Sequence, residues 1–291
     1  MSKTHRIAIK IEYDGIKFHG SQMQAAGVRT VQEDLERALG AFFRTKGERI
    51  IKALFSGRTD TGVHADGQVV HFDITDDDLD RAFKSEGNVL DREALAKITW
   101  ALNGILTNDL SISTAQLMPD RFNARYSAVR RTYVYRILNR PQRSALRHNK
   151  QYLVPARLDI DAMRSAAEAL LGRHDFKSFK SSNTDSSSTI CRVDRAEILN
   201  KGEGELEFWI SADHFVYNMM RIIAGTLIEV GLGKRTPSAL AEALAGQDRQ
   251  LAGPTAPPWG LCLYSVEYPA EFSLFQRDSM MSLISSQENE S

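Results

Sequence analysis

Short stretches in which apolar and polar residues alternate are the feature that most constrains how this chain can fold. Ile7, Ile9 and Ile11 alternate with polar or small residues, which is the period of a half-buried β-strand. Similar patterns predict further strands at residues 51–55, 68–73, 132–137, 206–210 and 261–268. Segments with helical periodicity lie between these strands, so the sequence predicts an α+β fold.

The predicted helices begin at recognisable capping residues. Thr30 and Glu33 have the spacing of a capping box and precede a helical pattern that runs to Phe42. Further helices are predicted over residues 95–102, from Asp159 to a terminating Gly172, over 215–231, and from 236 onward. Residues 181–189 are predicted to form a serine-rich polar loop.

Composition excludes several classes of protein. The 37 basic and 37 acidic residues cancel, so no overall field favours nucleic acid. Cys191 and Cys262 lie far apart and suggest neither a disulfide framework nor a zinc site, which favours a reducing compartment. Because neither a signal peptide nor a membrane-spanning stretch is recognisable, we expect a cytoplasmic protein with no membrane partner.

The segment 56–68 is the strongest local candidate for a functional site. Its glycines, at 57, 62 and 67, flank a cluster of polar side chains on a short loop between two predicted strands. One interpretation is a carboxylate, Asp60, acting as nucleophile or base beside Arg58. A second is a metal site, although the spacing does not favour it; its ligands would be Asp60, His64, Asp66, His71 and Asp73. A third is a merely structural loop.

A stretch of nine cations without a single acidic residue runs from 121 to 150. We call these cations the basic stripe: Arg121, Arg125, Arg130, Arg131, Arg136, Arg140, Arg143, Arg147 and Lys150. Aromatic residues are interleaved with them, at Phe122, Tyr126, Tyr133 and Tyr135, a combination typical of surfaces that bind phosphates and stack on unpaired bases. The alternative is a solvated strand and loop whose aromatic side chains face the core.

Arg221 interrupts the apolar run that begins at Phe215. A buried guanidinium needs a carboxylate or phosphate partner, so either such a partner lies nearby or Arg221 occupies an exposed helix edge.

Taken in order, these segments closely resemble the tRNA pseudouridine synthase A family. The resemblance is carried by the Gly-Arg-Thr-Asp sequence at 57–60 with Val-His-Ala at 63–65, by residues 124–135, and by residues 215–225. Supporting motifs are Glu-Tyr-Asp-Gly at 12–15, His-Asp-Phe at 174–176 and Gly-Pro-Thr-Ala at 253–256, so the resemblance spans roughly residues 6 to 269. One departure is Ser21, where relatives usually carry tryptophan.

The resemblance implies roles for particular residues. Asp60 would be the catalytic aspartate, Tyr133 the aromatic residue that stacks on the target uracil, and Arg221 the cation paired with Asp60. Such an arginine is expected to lower the pKa of Asp60 and keep it ionised. The other substrate-binding residues would be Arg58, gripping phosphate, together with His64, Arg125 and Arg131.

The resemblance also implies an architecture and a reaction. Residues 1–110 would form an α+β subdomain carrying the Asp60 loop, and 111–270 a second with the basic stripe. Residues 271–291 lie outside the resemblance and are expected from their polar sequence to form a flexible tail. The sheets of the two subdomains would join into one mainly antiparallel sheet with a central cleft, in a homodimer whose two subunits both touch one tRNA. The reaction would convert uridine to pseudouridine at positions 38, 39 and 40 of the anticodon stem-loop, without metal or organic cofactor. The alternatives are a non-catalytic RNA-binding or tRNA-folding protein on the same fold, and a metal-dependent hydrolase using His64 and Asp66.

Overall fold

The computed structural model describes residues 2–24, 27–45, 49–85, 87–181 and 188–275. Its strands are β1 (Thr4–Tyr13), β2 (Leu54–Phe55), β3 (His64–Thr75), β4 (Leu110–Met118), β5 (Arg130–Leu138), β6 (Tyr152–Leu153), β7 (Gly172–Asp175), β8 (Ile190–Gly202), β9 (Glu205–Ala212) and β10 (Leu261–Glu267). Its α-helices are α1 (Val31–Phe43), α2 (Asp76–Phe83), α3 (Arg92–Ile105), α4 (Ile160–Glu168), α5 (Met219–Gly231) and α6 (Ala239–Gly246). The predicted mixture of strands and helices is confirmed.

All ten strands belong to one sheet. Eight follow the order β4-β1-β3-β10-β5-β9-β8-β7, while β2 pairs with β3 and β6 pairs with β5. Every pairing is antiparallel except β10 with β3 and β5 with β6, which confirms the expected mainly antiparallel sheet. The last described strand in sequence, β10, therefore lies between β3, from the first third of the chain, and β5, from its middle.

The alternation that predicted β1 reflects two different cores on the two faces of the sheet. Ile7, Ile9 and Ile11 are fully buried in the larger core, which continues through both halves of the chain. Ala8, between them, belongs to a smaller core on the other face with Phe122 and Phe272.

Several elements differ from their predicted bounds. The strand predicted over 51–55 is limited to the two residues of β2, and the helix predicted from 215 begins only at 219 because Asn218 adopts a left-handed backbone (φ 63°). Gly172 (φ 102°) was predicted to terminate α4 but instead begins β7, and α4 already ends at Glu168.

The capping residues also differ from prediction. Thr30 caps α1 by accepting from Glu33 N, but the complete capping box occurs at Thr75. The acidic residues that follow, at 76–78, form the first turn of α2, a helix that was not predicted. The unpredicted strands are β4, β6, β7 and β8.

The predicted C-terminal tail and the predicted serine-rich loop are only partly described. Phe272 packs its ring on Phe122 (centroids 5.2 Å apart), so the chain is still docked at that point. Residues 276–291 of the predicted tail and 182–187 of the predicted serine-rich loop lie outside the described residues. No helix among those described is both long and apolar enough to span a bilayer. The division at residue 110 stays a prediction.

Candidate active site

Residues 56–63, between β2 and β3, form one wall of a cavity of about 480 Å³, within the usual size range of small-ligand sites. Gln68 on β3 holds the start of this loop: Ser56 Oγ donates to its Oε1 (2.5 Å) and its Nε2 donates to Gly57 O (2.9 Å). Further along, Val63 N donates to Asp60 O at 3.1 Å. The loop is therefore hydrogen-bonded at several points, while Arg58 and Asp60 line the cavity.

Asp60 and Arg221 meet in this cavity although one lies on the loop and the other on α5. Arg221 Nη1 donates to Asp60 Oδ2 at 3.4 Å, a long contact, and only about a fifth of each side chain is exposed (18% and 21%). The guanidinium is also held by Asn218 Oδ1 (2.9 Å) and by Ala256 O (2.8 Å). The partner that a buried Arg221 required is thus Asp60.

The pKa of Asp60 is raised above its ordinary value, contrary to the expectation that Arg221 would lower it. Enclosure disfavours the ionised carboxylate, and this effect exceeds the opposing attraction of Arg221. The expectation was wrong because it considered the charge of Arg221 but not the burial of Asp60. Asp60 is consequently a carboxylate that protonates more readily than an exposed aspartate.

Tyr133 on β5 supplies an aromatic wall. Its ring packs edge-to-face against Phe215, with centroids 4.9 Å apart, and both residues line the cavity. Among the described residues its hydroxyl has no hydrogen-bond partner, and burial raises the pKa of Tyr133, so the hydroxyl is a neutral phenol. Tyr135, two residues on, instead donates to Pro257 O (2.8 Å) and lies outside the cavity lining.

Besides Arg221, three guanidinium groups line the cavity, but they are not equivalent. Arg58 and Arg125 are exposed, and neither forms an ion pair within the described part of the chain. Arg131 is partly buried, and its Nη atoms donate to four backbone carbonyls, those of Ser56, Arg125, Ala128 and Asp213 (2.8 to 3.2 Å). Burial lowers the pKa of Arg131. Arg58 and Arg125 therefore have donors free for a ligand, whereas Arg131 holds the cavity walls together.

The basic stripe is not one continuous cationic surface. Four of its members form ion pairs with acids from outside the stretch: Arg130 with Asp194 and Glu267, Arg136 with Asp66 and Glu207, Arg147 with Glu205, and Lys150 with Asp14. Of its aromatic residues, Phe122 and Tyr135 are buried, while Tyr126 is 81% exposed beneath the Arg125 guanidinium (5.7 Å). Among the members without an ion pair in the described residues, Arg125 and Arg131 line the cavity, whereas Arg121, Arg140 and Arg143 lie outside its lining.

His64 does not join the other predicted site residues. It lies outside the cavity lining, where its Nδ1 accepts from Gly15 N (3.1 Å) and its Nε2 donates to Asn149 O (2.8 Å). Burial lowers the pKa of His64, so the ring is neutral with both nitrogens occupied. Its position gives no support to substrate binding by this ring.

The residues considered for a metal site are also dispersed. Asp66 pairs with Arg136, Asp73 pairs with Arg6, and His71 Nδ1 accepts from Ala124 N (3.1 Å). Burial lowers the pKa of His71 to about 4. Within the described residues, the one group close enough to share a metal is Cys191, Asp213 and His214, which contains none of them.

Sequence reasoning missed two lining residues of this cavity, Phe215 and Asn218, and also Ser21, which contacts the lining residue Thr59. The first two stand in the same apolar run as Arg221, and their proximity to that charge was the available signal. Ser21 was noticed only as a departure from the family pattern; its role becomes visible from its contacts.

A family model described as tRNA pseudouridine synthase matches residues 166–269, a stretch that includes Arg221. Over this stretch the chain is similar to the pseudouridine synthases, which are isomerases.

Relatives extend the match over most of the chain. The tRNA pseudouridine synthase A of Paraburkholderia xenovorans is 40% identical, and that of Burkholderia thailandensis 41% identical, over 92% of this chain and 92% of each relative. The enzyme of the same name from Shouchella clausii is 40% identical over 90% of this chain and 93% of its own length. The chain belongs to the tRNA pseudouridine synthase A family.

Proposed function

We propose that the chain converts uridine to pseudouridine at positions 38, 39 and 40 of the tRNA anticodon stem-loop, with Asp60 as the catalytic carboxylate. The supporting observation is that Asp60, Arg221 and Tyr133 line one cavity although they come from distant parts of the sequence. The protein acts in the cytoplasm as a homodimer in which one tRNA touches both subunits.

The reaction breaks the bond between N1 of uracil and C1′ of ribose, turns the base, and joins C5 to C1′. Asp60 forms a transient covalent bond, either to C6 of the base or to C1′ of the sugar. A bond to C1′ breaks when C5 attacks that carbon, and a bond to C6 breaks by elimination after C5 has joined C1′. The C5 proton is lost after the new bond forms, and N1 gains a proton. No redox step occurs, and the proposed chemistry requires only side chains of this chain.

The aromatic wall holds the base while it turns. Tyr133, backed edge-on by Phe215, offers a ring face on which a uracil can stack, and its free hydroxyl can donate a hydrogen bond to a uracil oxygen. Because stacking has little directional preference within the ring plane, it tolerates rotation of the detached base.

Arg58 and Arg125 bind the RNA backbone next to the target nucleotide. Their guanidinium groups are exposed and lack ion-pair partners in the described structure, so phosphate oxygens can accept from them. Anchoring the backbone at two residues of the cavity lining assists the extraction of the uridine from its stack.

Tritium release from C5-labelled uridine in unmodified tRNA tests this proposal. We expect release by the native chain, insensitive to a chelator, and loss of release in Asp60→Asn. Native protein that binds tRNA without releasing tritium would favour the non-catalytic RNA-binding alternative, and chelator-sensitive release would favour the metal-dependent one. Mapping the modified positions in the product tests the assignment to 38, 39 and 40.

A further inference from the structure

Thr59, the residue before Asp60, is hydrogen-bonded through three of its polar atoms to the first segment of the chain. Its N–H donates to Ser21 Oγ (2.9 Å), and its carbonyl accepts from Ser21 N (3.1 Å). Its Oγ1 lies 2.8 Å from the Tyr13 hydroxyl. These groups are all buried, with exposures of 0% for Ser21, 5% for Tyr13 and 6% for Thr59.

Two glycines permit this close approach of the two segments. Gly20 adopts φ +92°, and a Cβ added there would lie 3.0 Å from Thr59 O. At Gly15, an added Cβ would lie 2.0 Å from Val63 O, at the far end of the loop. The loop that carries Asp60 is therefore seated directly on the segment from Tyr13 to Ser21.

The position of the Asp60 side chain depends on these contacts of the loop backbone, because the carboxylate itself has few hydrogen bonds. Among the described residues its carboxylate accepts one hydrogen bond, the 3.4 Å contact from Arg221. A contact of that length does not define the carboxylate position well. The direction of the side chain is consequently set by the backbone, and the nearest backbone anchor on its N-terminal side is Thr59.

We propose that Ser21 and Tyr13 are positioning residues that set the Asp60 carboxylate relative to Arg221 and Tyr133. The inference rests on the proposed function, since it takes Asp60 as the catalytic group. Ser21 is suited to this role because it fits a fully enclosed position and supplies an acceptor for the Thr59 N–H. A tryptophan at this position would offer only a donor.

The test compares Ser21→Ala and Tyr13→Phe with the native chain in the tritium-release assay. Each variant removes one hydrogen bond to Thr59 and retains most of the buried side chain. Because small displacements of a reacting group cost much of the rate, we expect kcat to fall about tenfold in each, with KM for tRNA within about twofold. Thr59→Ser, which retains the hydroxyl, should keep more activity than Thr59→Val.

Ser178→Ala is the matched control. Ser178 is equally buried, its Oγ donates to Ala243 O at 2.6 Å, and it lies outside the cavity lining. Its loss should lower the melting temperature as Ser21→Ala does, but leave kcat unchanged. A general loss of stability would therefore affect all variants, whereas mispositioning of Asp60 would affect only those that touch Thr59.

The outcomes separate this inference from the proposed function. If Asp60→Asn keeps its activity, the proposed function is wrong. If Asp60→Asn is inactive but Ser21→Ala and Tyr13→Phe retain native kcat, or change only KM, the positioning role is wrong. Should Ser21→Ala fail to fold, Tyr13→Phe and the two Thr59 variants decide the question in the same assay.

Discussion

The protonation state of Asp60 results from two opposing effects at a single residue. Enclosure in the cavity raises its pKa, and the nearby guanidinium of Arg221 limits that rise. Carboxylates with raised pKa values are typical of sites where a group acts as nucleophile or base, because reduced hydration leaves the anion more reactive.

This balance predicts the pH dependence of the reaction. The proposed mechanism needs ionised Asp60, so the rate should fall with decreasing pH at a higher pH than an ordinary aspartate would give. Removing the attraction in Arg221→Met should raise the pKa further and move the acid limb of the kcat/KM profile to still higher pH. The measurement is tritium release across the acid range.

Arg221→Lys is the comparison variant, since it retains a charge but loses the guanidinium contacts to Asn218 and Ala256. Its acid limb should lie between those of the native chain and Arg221→Met. An acid limb that moves to lower pH in Arg221→Met would show that Arg221 does not stabilise the carboxylate.

At the scale of elements, β5 contributes both to the chemistry and to the framework of the site. Tyr133 lines the cavity, and Arg131, two residues earlier, reaches carbonyls on the Asp60 loop, on the turn at 125–128 and on the segment after β9. One side chain thus connects three walls through four hydrogen bonds.

Arg131→Met should therefore destabilise the fold more than a change at its neighbour. Leaving four carbonyls without donors should cost roughly 2–4 kcal/mol in the free energy of unfolding. Arg130→Met, which removes ion pairs of a 40% exposed side chain, should cost about 0–1 kcal/mol. Urea unfolding measures both, and equal losses would contradict the connecting role of Arg131.

The elements show which structural features the sequence reveals and which it does not. β1, β5 and β10 were predictable because alternating residues along each strand pack into the larger core. β8 was not, because residues 190–202 place exposed charges on one face and irregular burial on the other. The late start of α5 depends on the left-handed backbone of Asn218, a conformation that the apolar pattern around it does not encode.

At the scale of the whole molecule, the formal net charge is zero, so attraction of RNA depends on local groups of basic side chains without acidic partners. The sequence reveals the basic stripe but not the ion pairs of four of its members, because their acidic partners come from other parts of the chain. Likewise, the family resemblance predicted Asp60 and its pairing with Arg221, whereas only the folded chain shows that His64 lies away from them.

This distribution of charge predicts how tRNA binding responds to salt. Arg58→Ala and Arg125→Ala should each weaken binding and reduce the slope of log K against log salt by about 0.7–0.9, as expected for one lost phosphate contact. Arg136→Ala should leave that slope unchanged, because its guanidinium pairs with Asp66 and Glu207. A titration in which all three variants lose the same slope would show that the whole stripe binds RNA.

The central position of β10 has a consequence for the biosynthesis of the enzyme. β3 and β5 are joined in the sheet only through β10, and Leu263 of that strand is registered against both Ala65 and Tyr133. As a nascent chain leaves the ribosome, β3 and β5 emerge before residues 261–267, the strand that lies between them in the sheet. The loop with Asp60 and the strand with Tyr133 reach their final spacing only when β10 has paired with both, so competence for catalysis requires the translation of that strand.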